Sequence, residues 1–158
     1  MTMILAALAF LAQPAPLTDC ATLRFSRAPA MGGGETQRVG ICRDPDGRPG
    51  DFLFQRSAGR RDAAPVTTYA TSRACPAALR QLIALESLEL PRPNVPGLGD
   101  ELQTITMDGV TYRLEGLGLY GPASANFTLE SNVGTPLARW IEGTLATLAP
   151  CWRPRPGS

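Results

Sequence analysis

Apolar and polar positions alternate on either side of Asp108-Gly109, and this alternation defines the clearest local element of the chain. Asp-Gly favours a two-residue turn whose twist matches that of two paired strands. With it at the tip, Met107 faces Val110, Ile105 faces Tyr112 and Gln103 faces Leu114, while Thr106 meets Thr111 and Thr104 meets Arg113 on the other side. Gln103 to Glu115 is therefore predicted to form an antiparallel hairpin with one buried face. A second hairpin is predicted earlier. Val39 and Ile41 share a face within Gln37 to Arg43, Phe52 and Phe54 share one within Asp51 to Arg56, and Asp44-Pro45-Asp46-Gly47-Arg48-Pro49-Gly50 between them is turn chemistry. A preceding strand, Ala21 to Ser26, can fold back on it through Ala28 to Gly34.

Two segments carry helical periodicity. Pro76 to Leu88 opens with a first-turn proline after Ser72 or Cys75 and groups Leu79, Leu82 and Ile83 on one side. Pro136 to Leu148 has Thr135 as its cap and aligns Leu137, Ile141, Leu145 and Leu148, with Trp140 at the edge and Arg139, Glu142 and Ala146 opposite. Pro91 to Asp100 is too rich in proline and glycine for regular structure, and Phe127 to Ser131 reads as extended. The fold class is α+β: an antiparallel sheet or sheets packed by two helices. Hairpin, extended segment and helix recur in the same order on both sides of the linker, which suggests a duplicated strand-strand-strand-helix unit with halves 20–90 and 101–152. Residues 153–158 are expected to form a disordered tail.

The first residues read as an address. Met1 to Ala12 is apolar and uncharged and is followed by Gln13-Pro14-Ala15-Pro16. A membrane-spanning helix needs about 20 apolar residues, so the run fits the apolar part of a secretory signal peptide, and residues 1–19 are assigned to it and its processing region. No basic residue precedes the run, and the prolines crowd any small-residue cleavage site. A lipid anchor on Cys20 is disfavoured by Asp19 immediately before it. Cys20, Cys42, Cys75 and Cys151 are even in number and widely separated, which suits two disulfides in an oxidising compartment rather than a zinc site. The preferred pairs are Cys20 with Cys42, across adjacent strands, and Cys75 with Cys151, where antiparallel helices bring the start of one beside the end of the other.

Composition removes most catalytic chemistries. The 158 residues carry a net charge of +1, with 44% hydrophobic and 18% charged residues, as expected of a single packed domain over 20–152. This balance gives no reason to expect nucleic acid as a partner. Histidine is absent and every basic residue is arginine. His-assisted nucleophiles, His-ligated metals, Schiff bases and Ser-Lys pairs are therefore excluded. No cofactor, metal or transmembrane span is expected.

Several segments invite a functional assignment. Asp44, Asp46 and Asp51 cluster in one turn, but their spacing lacks the further oxygens of a calcium loop, and a solvated turn is the better reading. Gly32-Gly33-Gly34 is followed by Glu35 and a strand rather than a helix start, which argues against phosphate binding. Asn126-Phe127-Thr128 matches a glycosylation acceptor but reads as strand, and Trp140 and Trp152 suit core packing. Arg56, Arg60 and Arg61 are the candidate binding residues: residues 21 to 62 hold eight arginines against five acids, and guanidinium forks hold carboxylate or phosphate. Glu86 is a weak catalytic candidate: a helical wheel places it among Leu79, Leu82 and Ile83, where burial would raise its pKa, but fraying of the helix before Leu88 would let it reach water at the rim, and that is the better reading. These features lead to a small exported, non-catalytic protein, periplasmic or secreted, that acts as a binding, accessory or inhibitor-like module on a protein or small-molecule partner. The alternatives are a carboxylate-dependent envelope hydrolase, pairing Glu86 with Asp100, Glu101 or Glu115, and an oligomer joined through Ala21 to Ser26 as a strand edge.

Overall fold

Six strands and two helices form where apolar side chains recur at strand or helix spacing, in a computed structural model that describes residues 22–30, 33–91, 109–120 and 122–155. The strands are β1 (Leu23–Pro29), β2 (Thr36–Arg43), β3 (Phe52–Gly59), β4 (Val66–Thr71), β5 (Val110–Tyr120) and β6 (Ala123–Ser131). Helix α1 (Pro76–Glu86) follows β4, and α2 (Pro136–Leu148) follows β6. All strands lie in one sheet of order β4-β3-β2-β1-β5-β6, and every neighbouring pair is antiparallel.

Period-two alternation gives this sheet two distinct faces. Phe25, Val39, Ile41, Phe54, Ala70, Tyr112 and Leu114 face the helices and build the core with Ala138, Trp140, Ile141, Leu145 and Leu148 of α2. Phe25 meets Trp140 edge-on, with ring centroids 5.3 Å apart. The Trp140 indole N–H donates to the Gln81 carbonyl of α1 at 2.7 Å, so the buried ring's polar end is satisfied. The α2 stripe falls as predicted, with Arg139 and Ala146 exposed, but Glu142, expected opposite the stripe, reaches the sheet at Arg27 and Tyr112.

Helix α1 is rotated from its predicted phase. Ala78 is its buried residue, with Leu82 and Leu85 packed against the core, while Leu79 and Ile83 are 38% and 59% exposed. The small side chain of Ala78 lets the helix approach α2 closely, and Cys75, immediately before the helix, is bonded to Cys151 just beyond α2 with Cα atoms 5.9 Å apart. These two constraints outweigh the hydrophobicity of Leu79 and Ile83. The Cys75–Cys151 bridge is the predicted one. Cys20 lies outside the described residues, and with it the Cys20–Cys42 pairing.

Other expectations change. Residues 103–108 of the Asp-Gly hairpin lie outside the described residues, and with them that hairpin; its other strand is β5. Tyr112 pairs with Arg27 on one side and Ser131 on the other, and Leu114 with Phe25 and Leu129. Strand β1 is central, between β2 and β5, and so does not offer the free edge over Ala21 to Ser26 expected of an oligomer. Four strands precede α1 and two separate it from α2 among the described residues, an order that does not show a duplicated unit. Arg153, assigned to the tail, pairs through its backbone with Tyr69, each N–H reaching the other's carbonyl at 2.8 Å.

Candidate functional site

The sheet face away from the helices carries the polar half of each alternating strand. Along one row across the strands, Ser57 of β3 pairs with Arg38 of β2, Arg38 with Ser26 of β1, Ser26 with Arg113 of β5, and Arg113 with Glu130 of β6. The next row runs Gln55, Gly40, Arg24, Glu115 and Thr128. Small side chains at Ser26, Gly40 and Ser57 leave a depression in this surface, bordered by Arg24, Arg38 and Arg113. The result is a groove of about 430 Å³, lined also by Glu115. Adjacent strands are about 4.8 Å apart, so Arg38 and Arg113 start roughly 10 Å from each other with Ser26 between them. Arg113 forms ion pairs with Glu115 and Glu130. Arg38 is exposed and has no ion pair among the described residues. The arrangement offers guanidinium donors and two hydroxyls to an anion, and its acceptor side is limited to Glu115.

The arginines singled out from the sequence lie elsewhere. Arg56 belongs to the helix side of the sheet, where its guanidinium stacks 4.7 Å over the Trp152 ring and its Nε donates to the Thr68 hydroxyl at 3.1 Å. Burial lowers its pKa, an effect that Glu35 opposes. Arg60 and Arg61 are exposed in the turn between β3 and β4. The three therefore form no common site. Glu86 ends α1 exposed to water with Ile83, which is the preferred of the two readings of that position, and it is not a buried carboxylate. Glu115 lies on the opposite face of the sheet, and a hydrolase pairing it with Glu86 would have the sheet between its two acids. Asp100 and Glu101 lie outside the described residues.

The acidic turn is occupied by its own backbone. Asp44 Oδ1 accepts from the Asp46 N–H at 3.1 Å, Asp51 Oδ2 accepts from the Arg48 N–H at 2.8 Å, and Arg73 pairs with both carboxylates. Gly50, with φ of +94°, supplies the left-handed residue that closes this turn. Among the described residues no group of three or more acids, cysteines or histidines is placed to hold a metal ion.

A third polar cluster ties α2 to the sheet. Arg27 and Tyr112 are cross-strand neighbours on the helix side, and Glu142 of α2 lies over them. The Tyr112 hydroxyl donates to Glu142 Oε1 at 2.6 Å and Arg27 Nε donates to the same oxygen at 2.7 Å. Burial alone would raise the Glu142 pKa, but the hydrogen bonds from Tyr112 and Arg27, with the Arg27 charge, carry it below the ordinary value. Burial and the bond to Glu142 raise that of Tyr112, and Arg27 opposes them. Both donors converge on a single carboxylate oxygen, which makes the cluster a clasp between helix and sheet.

Arg24, Arg38 and Arg113 were not singled out by sequence reasoning. Their signal was the alternation itself, since each lies next to an apolar core residue in its strand. No family model matches the chain, and comparison with curated proteins and with solved structures gives no match either.

Proposed function

We propose that this chain is a small exported, non-catalytic binding module whose binding surface is the arginine-lined groove on the open face of its sheet. The groove carries this reading: three arginines from three adjacent strands surround a floor of small residues, away from the helices that close the core. Export is supported by the apolar leader and by the Cys75–Cys151 bridge, which belongs in an oxidising compartment. Cys42 is not a free thiol, consistent with a second bridge to Cys20. No helix among the described residues is long and apolar enough to cross a membrane. Against the hydrolase stand the separation of Glu86 from Glu115 by the sheet and the engagement of Glu115 by Arg113.

Fractionation of cells expressing the full chain tests the assignment. The protein is expected outside the cytoplasm, with a mass lacking the segment before Cys20, and with Cys75 and Cys151 unreactive toward an alkylating reagent until reduced. An intact Met1 on a cytoplasmic protein with alkylatable Cys75 would sink it.

A further inference from the structure

We infer that the groove takes a small organic or inorganic dianion, with carboxylate or phosphate oxygens held between Arg38 and Arg113 above the Ser26 hydroxyl. This rests on the binding-module reading and adds the chemical class of its ligand. Charge is the first argument. Arg24, Arg38 and Arg113 outnumber Glu115 and, at the rim, Glu130 by three to two, so the balance of the groove favours an anion. Geometry is the second. Arg38 and Arg113 occupy the same cross-strand row with only Ser26 between, so one anionic group near each guanidinium places the ligand's centre over a hydroxyl donor. Size is the third, because about 430 Å³ lies in the range of small-molecule sites, and the lining sets polar and charged groups beside Phe25 and Val39.

The present partners of Arg113 sharpen the inference. Glu115 holds Arg113 from within the groove and Glu130 from its rim, so an incoming anion competes with Glu115 for the same guanidinium. Arg38, with no ion pair among the described residues, needs no displacement and provides the first contact. A single negative charge would satisfy Arg38 and leave Arg113 with Glu115. A second charge is required to engage both arginines.

Calorimetric titration of the oxidised protein with succinate, inorganic phosphate and the neutral polyol glycerol, at low and high salt, tests this. Succinate or phosphate is expected to bind saturably and less tightly as salt rises, and glycerol not at all; which of the two anions binds more tightly identifies the oxygen chemistry. Arg38→Gln is expected to weaken binding by about ten-fold or more. Glu115→Gln is expected to tighten it by about three-fold, since it removes the competing carboxylate. That gain is one a merely structural role would not produce. Thermal melts accompany each variant, and Arg38→Gln remains interpretable if changes at Arg113 or Glu115 disturb the sheet. The inference is overturned if neither anion binds at millimolar concentration, if binding is indifferent to Arg38→Gln, or if only an acidic polypeptide such as polyglutamate binds. In the last case the module would still bind through its groove, whereas a cytoplasmic, reduced protein would overturn export without altering anion affinity.

Discussion

Tyr112 shows how one side chain can serve the core and a polar contact together. Its ring is 4% exposed and belongs to the core cluster, while its hydroxyl reaches the Glu142 carboxylate at 2.6 Å. Removing the hydroxyl leaves the ring packing intact and deprives Glu142 of one of two donors, with Arg27 still in place. A hydrogen bond to a charged acceptor contributes about 1.5 to 3 kcal/mol, and partial exposure of Glu142 favours the lower end. Tyr112→Phe is therefore expected to lower unfolding stability by about 1 to 1.5 kcal/mol, seen as a reduced urea midpoint at unchanged slope. An unchanged midpoint would mean that the hydroxyl adds nothing to what Arg27 and the core packing of α2 already provide. Two other buried groups have no such partner among the described residues: the Tyr69 hydroxyl and the Trp152 indole N–H. Trp152 receives Arg56 on its face instead, which engages the ring and not its donor.

At the scale of elements, the two helices begin differently. Both carry proline in the first turn, but Cys75 makes no side-chain cap to α1, whereas Thr135 Oγ1 accepts from the Ala138 N–H at 3.1 Å. The same hydroxyl lies 2.9 Å from that of Ser131 at the end of β6 and donates to the Asn132 carbonyl, so the cap also sets the strand-to-helix corner. Thr135→Ala is expected to cost about 1 kcal/mol, Thr135→Ser much less, as measured by thermal or chemical denaturation. Equal losses in both would assign the effect to the threonine methyl. The α2 cap and stripe were legible because each depends on residues within two turns of one another. The phase of α1 was not, since Ala78 is chosen by its close approach to α2 and by the bridge from Cys75, partners far away in the chain. The groove was hidden for the same reason. Alternation placed Arg113 on a polar face, but only the pairing of β5 with β1 sets it beside Ser26.

For the whole molecule, the absence of histidine has a thermodynamic consequence. Histidine is the side chain whose ordinary pKa lies in the neutral range, and this chain has none. Its perturbed groups lie far to either side. Glu142 has a native pKa held below 4.5, so its contribution to stability is present above that value and is lost as pH falls through the native pKa. Burial raises the native pKa of Tyr69 and Tyr112 above 10.0; their contributions are present below that value and are lost as pH rises through the native pKa. Stability measured by urea denaturation is therefore expected to form a plateau across the neutral range, with an acid limb beginning below the ordinary glutamate pKa and an alkaline limb beginning above that of tyrosine. Tyr112→Phe should reduce both limbs, because it removes one raised tyrosine and one of the contacts that lowers Glu142. A free thiol whose native pKa burial raises above its unfolded value, near pH 8.5, would break the plateau there. A flat profile through that region fits a chain whose cysteines are all bridged; a step in it that disappears on alkylation would show a free thiol and defeat the two-bridge assignment.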